Sequence, residues 1–373
     1  MLVVILCLCG CSSKKDNRVV YDLEYEKQWY LHKTFVGKCD IQTVEVKDNK
    51  EEGFSEEILP ISIESTINLG VENYWEIRNI LGKKLTIALI DSCVDIQDEE
   101  LKGHLWINEN EIPNNGIDED SNGYIDDYNG WNFIENTNSV NNSDYEIEHG
   151  THCAGIIVAN HDGEGTMGIL GNDNVEIMVL PILDSDDTDK NDEENVHRLI
   201  EAINYAETMG ADICNISCSF GYSSDELKEC FKNSAMYFVV AAGNQESKMI
   251  QGINLDKQKR YPACYNMENV ITVGSIDSKQ KISLFSGYSA NYLDIVAPGE
   301  NIYSSVFANS YSYKSGTSMS AAIVTGILGA YYLSHEVTVE GAVDMLYEKA
   351  QVNPCIVNKV SGGRIVYYNN ESS

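Results

Sequence analysis

Gly316-Thr317-Ser318-Met319-Ser320-Ala321-Ala322, continuing through Ile323-Val324-Thr325-Gly326 to Leu333, is the stretch whose reading decides the fold. It predicts a helix. Gly326, Gly329 and Ala330 recur three or four residues apart along one face, and no charge falls between Gly316 and Glu336. A helix with a face that thin has to lie buried against other backbone. Its first turn presents Ser318 where free N–H groups and the positive end of the macrodipole also point. Such a place suits a nucleophile whose reaction creates an oxyanion. Taken alone, Ser318 reads equally well as an ordinary serine at a helix N-terminus.

Three further stretches bear on that choice. Leu85-Thr86-Ile87-Ala88-Leu89-Ile90-Asp91 is an apolar strand closed by an aspartate. His149-Gly150-Thr151-His152-Cys153-Ala154-Gly155 is a small-residue helix opened by a histidine, and Val239-Val240-Ala241-Ala242-Gly243-Asn244 ends in a carboxamide. A hydroxyl at its free pKa is a weak nucleophile, so a base near neutrality must take its proton and a buried carboxylate must orient that base.

Together these residues resemble the subtilisin-like serine proteases (subtilases), whose triad runs Asp, His, Ser along the chain. The resemblance extends from about Tyr25 to about Val366. It implies that Ser318 is the nucleophile, His149 the general base and then acid, Asp91 the holder of the imidazole tautomer, and Asn244 an oxyanion donor. It further implies that Ser217-Cys218-Ser219 forms an open edge that pairs with an extended substrate. Ala241, Ala242 and Gly243 would help wall the pocket for the side chain before the cut. Pairing of that kind reads backbone, so specificity has to come from pockets. The chemistry requires no cofactor.

At 373 residues, 43% of them hydrophobic, the chain can fill one large core. Its formal charge of -32 argues against a nucleic-acid partner, whose phosphates would be repelled. Such acidity otherwise means a solvated surface or a field that draws in basic substrates or calcium. The expected partner is a peptide or protein substrate, met by a monomer.

Residues 1–11 are an apolar run of signal-peptide type, too short to span a bilayer. Leu8-Cys9-Gly10-Cys11 resembles a bacterial lipobox with Cys11 as the lipidated residue, although no positive segment precedes it. The expectation is a protein exported and anchored on the outer face of a bacterial membrane; an ordinary secretion signal is the other reading. Residues 12–60 are polar, with Lys47 to Glu52 a linker, and 61–373 form the peptidase domain. Tyr25 to Leu31 resembles the start of the mature domain in many subtilases. Little room is then left for an inhibitory prodomain, and residues 12–60 are a candidate for a shortened substitute. Ser361-Gly362-Gly363-Arg364 resembles the end of the catalytic domain, with no further module expected.

Beyond the apolar run stand eight cysteines: Cys39, Cys93, Cys153, Cys214, Cys218, Cys230, Cys264 and Cys355. In an exported chain they invite a disulfide framework. Four of them lie inside apolar strands or the motifs above, where cysteine behaves as a small buried hydrophobe, so mostly free thiols are expected. Cys153 shares the helical face of His149, and a large thiol reagent there should disturb the histidine.

Asp118-Glu119-Asp120-Ser121-Asn122-Gly123-Tyr124-Ile125-Asp126 carries oxygen ligands at positions one, three, five and nine and glycine at six, the pattern of an EF-hand-type loop. Asp118, Asp120, Asn122, Tyr124 and Asp126 are therefore candidate ligands of a structural Ca2+. An acidic, turn-rich loop is the plainer reading, and Asn129 stands where the bidentate glutamate belongs.

Val71 to Ile80 predicts an amphipathic helix. Val175 to Leu183 and Asp212 to Ser217 predict buried strands flanking a helix from about Asn195 to Met209. This rhythm implies an α/β, doubly wound fold with a largely parallel central sheet and helices on both faces. Arg260 stands before Tyr261-Pro262-Ala263. The resemblance places that position near the bottom of the substrate pocket, where a guanidinium would favour Glu or Asp; a solvated basic loop is the other reading.

Two departures from the subtilase pattern stand out. Cys93 replaces the glycine usual after the aspartate, which tightens the turn, and Ala322 replaces a proline four residues after the serine. The expected function is a serine endopeptidase, broad or dedicated to processing peptides and leaders. The rival is a catalytically impaired subtilase acting as a tethered binding protein.

Overall fold

The computed structural model describes residues 21–32, 35–44, 56–65, 67–141, 148–171, 173–183, 192–245 and 252–370. Cys11 and the linker at 47–52 lie outside them. Two short 3-10 turns, Tyr25–Lys27 and Trp29–Leu31, precede an antiparallel pair, β1 (Phe35–Val44) and β2 (Glu56–Ser65), and then α1 (Val71–Ile77). There follow β3 (Leu85–Asp91), α2 (Glu148–Val158), β4 (Val175–Pro181), α3 (Asp192–Thr208) and β5 (Ile213–Ile216). Next come α4 (Asp225–Asn233), β6 (Tyr237–Ala241), β7 (Val270–Ile276) and β8 (Ile295–Pro298). A second antiparallel pair, β9 (Ile302–Val306) and β10 (Ser310–Lys314), leads into α5 (Thr317–Ser334) and α6 (Val339–Glu348). Two short strands, β11 (Gln351–Val352) and β12 (Arg364–Ile365), close the fold.

The central sheet has the order β11-β12-β8-β7-β6-β5-β3-β4, and only the β11–β12 pair is antiparallel. Strand alternation sorts the apolar side chains to two faces. Leu85, Ile87 and Leu89 join the core beneath α2 and α5, whereas Ala88 and Ile90 join the core beneath α3 and α4. The fold is therefore doubly wound α/β, as the pattern implied. β3 lies between β4 and β5, so successive connections leave it in opposite directions. That switch point, at the carboxyl ends of the strands, is where such sheets open a crevice for ligands.

Helix α5 is buried at every residue except Tyr332. Its glycines explain how: a Cβ on Gly326 would stand 2.8 Å from Cβ of Ile169, and one on Gly329 would stand 2.6 Å from Cδ1 of Leu170. The helix axis comes closer to the loop after α2 than any side chain would permit. The N-terminal segment is locked to that same loop. Gln28 donates Nε2–H to Met167 O at 2.9 Å and accepts Met167 N–H at 2.8 Å, with Trp29 and Tyr30 wholly buried.

Three boundaries differ from the pattern. Helix α3 begins at Asp192, because Asp192, Glu193 and Glu194 form a first turn that suits the positive end of its dipole. Helix α1 stops at Ile77, where Arg78 turns to φ 46° and donates its N–H to Tyr74 O. β4 ends at Pro181, two residues short of Leu183. Ala322 leaves α5 unbroken, and Cys93 does not adopt positive φ, so the turn after Asp91 makes no demand for glycine. Among the described residues seven cysteines are free, and no helix is long and apolar enough to cross a membrane.

Candidate active site

Asp91 ends β3 and is wholly buried; its neighbour Ser92 donates its N–H to Asp91 Oδ1 at 2.7 Å. His149 opens α2, and its Nδ1–H donates to the same Oδ1 at 2.6 Å. Gly150 lets the helix come this near. A Cβ there would lie 2.6 Å from the carbonyl oxygens of both Ser92 and Cys93, and Ser92 Oγ accepts the Gly150 N–H at 2.9 Å. Helix start and strand end are thus fastened directly to each other. Lys314 on β10 adds an ion pair of 2.9 Å to Glu148, the first residue of α2.

Ser318 lies in the first turn of α5 and is 4% exposed. Its hydroxyl donates to Ser217 O at 3.3 Å, which sets it at the end of β5, next to β3. Ser217 is held in turn. Its Oγ accepts from Asn215 Nδ2 at 3.0 Å, while Asn215 Oδ1 accepts Thr325 Oγ1–H at 2.9 Å, a buried link between β5 and α5. Cys153 Sγ stands 4.0 Å from His149 Nδ1 and 3.8 Å from Ser217 Oγ, on the face it was expected to share.

Asn244 follows β6, and its Oδ1 accepts both the backbone N–H and the hydroxyl of Thr317, at 3.0 and 3.1 Å. Those bonds fix which end of the carboxamide is nitrogen. Nδ2 points the other way, 3.4 Å from the place a Cβ on Gly316 would occupy, so an N–H donor is aimed across the residues before Ser318. The carboxamide and the first turn of α5 are thereby one rigid unit.

Charge follows from this packing. Burial lowers the affinity of His149 for a proton, but the Asp91 carboxylate more than offsets it, aided by Cys153, and holds the imidazole well above its ordinary range. Burial likewise pushes the Asp91 carboxyl up, yet the imidazolium and hydrogen bonds from His149, Ser217 and Ser92 bring it below the usual carboxylate value. Burial raises the Cys153 thiol, with the Asp91 charge adding to it, so it stays protonated beside the pair.

The cleft beside Ser318 has a volume of about 450 Å3, and Ser217, Cys218, Ser219, Ala241, Gly243 and Arg260 are among its lining residues. Ala242 is not one of them. It is wholly buried behind the wall, its N–H donating to Val273 O at 2.9 Å. Asp192 and Asn195, from the start of α3, also line the cleft, and sequence reading missed both. Their spacing from the other motifs gave no signal, because only the docking of α3 brings them there.

In the acidic loop Asp118 accepts the N–H groups of Asn122 and Gly123, and Asp126 those of Asn115 and Gly116, one bond to each carboxylate oxygen. Asn122 directs its amide to Asp120 and Asp127, and Tyr124 packs its ring on Trp131 and Tyr205. The oxygens that converge belong to Glu111, Asp120 and Asp127, all within 4.8 Å of one another. Elsewhere Asp22, Asp98 and Glu100 each bury a carboxylate oxygen that has no hydrogen-bond partner. Burial pushes these carboxyls up, to about 7, 6 and 8. No spacing along the chain links Asp22 with Glu100.

A histidine bonded to a strand-end carboxylate, and a serine in a helix's first turn bonded to the carbonyl that follows the neighbouring strand, stand at the switch point of a parallel sheet, a place where an α/β hydrolase builds its site. The model of the peptidase S8, or subtilase, family matches residues 82–359, and the chain belongs to that family. It is 33% identical over 256 residues to the major intracellular serine protease of Bacillus subtilis (strain 168), covering 67% of this chain and 69% of that one. It is 30% identical over 298 residues to subtilisin-like protease 1 of Plasmodium berghei (strain Anka), covering 74% of this chain but only 47% of that protein. Among solved structures, a cold-adapted subtilisin-like serine proteinase superposes with a TM-score of 0.59 at 22% identity, over 79% of this chain and 92% of that one. The MycP3 protease from the type VII (ESX-3) secretion system gives 0.60 at 21% identity, over 80% and 85%. Membership makes this a hydrolase of the serine-protease type, whose substrates are peptides or proteins.

The Asp91–His149 contact has a measurable sign. A raised imidazole pKa means that the charged pair stabilises the folded chain fully below the unfolded value of about 6.5 and loses that contribution as pH rises through the folded value. Titration of the imidazole resonances should give His149 a midpoint above pH 6.5, and Asp91→Asn should lower it. A wild-type midpoint at or below that value would contradict the electrostatics.

Proposed function

We propose that the chain is a serine endopeptidase in which Asp91, His149 and Ser318 act as a triad and Asn244 supplies an oxyanion donor. The 2.6 Å bond from His149 to buried Asp91, at the same strand ends as Ser318, is the observation that carries this reading. Neutral His149 takes the Ser318 proton on Nε2 as Oγ attacks the peptide carbonyl, and Asp91 stabilises the imidazolium that forms. The new oxyanion accepts from Asn244 Nδ2. His149 then gives its proton to the departing amine, leaving an acyl-enzyme. A water molecule deprotonated by the same imidazole releases the acyl group and restores the serine.

Ser217 O links binding to chemistry. In the free chain it accepts the Ser318 hydroxyl at 3.3 Å, but a substrate strand paired along Ser217-Cys218-Ser219 brings its own N–H to that oxygen. The hydroxyl is then released toward His149. A polar cleft favours the narrower reading, a protease that processes selected peptides or leaders, over broad degradation. A fluorophosphonate should label the wild-type chain and not Ser318→Ala. Asn244→Ala should cost roughly 10²–10³ in kcat with little change in KM. A folded wild-type chain that takes no label would point instead to the tethered binding protein.

A structural Ca2+ is part of the proposal. The hard, all-oxygen set of Glu111, Asp120 and Asp127 suits that ion, and burial with the charges of Asp127 and Glu119 raises the Glu111 carboxyl. The cation would offset the repulsion and fix the loop that packs on Tyr205. Calcium should raise the thermal midpoint of the full chain, and Glu111→Gln should remove that gain. An unchanged midpoint on chelation would remove calcium from the account.

The apolar run ending in Cys11 supports export and a lipid anchor on the outer face of a membrane. Expressed in a bacterium with its first eleven residues, the chain should take up a labelled fatty acid and sediment with membranes. Cys11→Ala should abolish both, and a wild-type chain that stays unlabelled would leave secretion as the reading.

A further inference from the structure

About two turns beyond Ser318, helix α5 carries a wholly buried hydroxyl on Thr325. A valine would fill nearly the same space, and a hydroxyl so placed is costly unless it is bonded. Thr325 is bonded. Its Oγ1–H donates at 2.9 Å to Oδ1 of Asn215 on β5, a residue equally shut off from water. That bond decides which end of the Asn215 carboxamide is oxygen. Nδ2 therefore faces the site, where it donates to Ser217 Oγ at 3.0 Å. With its oxygen accepting from Asn215, the Ser217 hydroxyl has its own proton to give elsewhere.

Near that hydroxyl lie Cys153 Sγ, at 3.8 Å, and the Asp91 carboxylate, which Ser217 helps to hold below its usual range. The carboxylate is the stronger acceptor. Backbone pairing brings the two together: β3 and β5 run parallel with Ile90 opposite Ile216, and the Ser217 N–H donates to Ile90 O at 3.2 Å. On Asp91 the two oxygens are served unequally. Oδ1 takes the Nδ1–H of His149 and the N–H of Ser92, whereas Oδ2 is buried with no partner at good hydrogen-bond geometry. A buried carboxylate oxygen left so is costly. Ser92 does not supply it, because its hydroxyl donates to Cys93 O at 3.3 Å. Ser217 is the neighbouring hydroxyl that can.

We infer that Thr325 is a positioning residue of the protease: through Asn215 it turns the Ser217 hydroxyl to Asp91 Oδ2, completing the set of donors that holds this carboxylate against His149. The inference rests on the endopeptidase reading and adds to it a residue that touches neither substrate nor the reacting atoms. The helix that carries Ser318 thereby also orients Asp91, from beneath the strand ends. Among the described residues, the titratable groups that face Asp91 are His149 and Cys153 on α2 and Cys218 just after β5. Thr325 is uncharged, so replacing it neither adds nor removes a charge among them.

The test is Thr325→Val in the full chain, which keeps the side chain's shape and removes the donor. The Asn215 carboxamide is then free to turn over, and Ser217 gives its proton to Asn215 instead of Asp91. A carboxylate short of one donor holds the neighbouring proton more tightly. The imidazole midpoint of His149 should therefore rise above that of the wild type, and the acid limb of kcat should move to higher pH with it. At the optimum, kcat per Ser318 labelled by a fluorophosphonate should fall roughly threefold to tenfold, with KM little changed. Thr325→Ser restores the donor and should bring both back. Ser217→Ala should raise the midpoint as well, and in that background Thr325→Val should add nothing. A Thr325→Val chain with the wild-type midpoint and kcat, whatever its thermal stability, would overturn the inference. So would full additivity of the two substitutions, which would make Thr325 a packing residue. Should Thr325→Val not fold, the midpoint of Ser217→Ala decides: a rise supports the relay and no rise ends it. Failure of the wild type both to label and to cut any peptide is a different result. It would sink the endopeptidase reading, while the His149 midpoints still test the relay.

Discussion

Everything at this site depends on how closely α5 can approach its neighbours. A helix without charge, whose glycines leave Ile169 and Leu170 less than a side chain's width away, has no stable place except inside the molecule. Once it is there, the first turn of α5 arrives at the strand ends, and Thr325 meets Asn215 beneath them. The position of Ser318 is therefore a consequence of core packing. A hydroxyl held this way keeps its place without help from a bound ligand.

The same economy governs the other two members. Gly150 removes the one Cβ that would keep α2 away from Ser92 and Cys93, and the resulting contact leaves His149 and Asp91 2.6 Å apart. The buried carboxylate and the partly exposed imidazole then shift each other's proton affinities, the carboxyl downward and the imidazole upward. Asn244 is oriented by Thr317, the residue beside Ser318, so the carboxamide and the serine are held as one piece. Chemistry and stability draw on the same few contacts.

Acidity is handled in two ways. Much of it lies on the surface, where water screens it. Some does not: Asp127 and Glu111 are buried beside Tyr205 and Asp120, and Asp22, Asp98 and Glu100 are buried beneath the N-terminal segment and the loop after α2. Carboxylates in such places have to be protonated, bonded or met by a cation.

The sequence by itself determined the class of fold and the family. Near-continuous apolar runs in β3 and β4, small-residue helices at His149 and Ser318, and the order of three side chains along the chain are local properties, and local properties survive into the folded state. Other features depend on residues far apart in the chain and were decided only in three dimensions. The loop from Asp118 matches an EF-hand in spacing, yet the carboxylates that converge within 4.8 Å are Glu111, Asp120 and Asp127, two of which that spacing did not select. Asp192 reaches the substrate cleft because α3 starts earlier than its apolar pattern and docks against the edge near Gly221. Ala242, just beyond β6, is wholly buried in the core and gives its N–H to Val273 O, so it does not line the cleft. Spacing shows which groups a chain possesses; only packing against distant backbone decides where each one points.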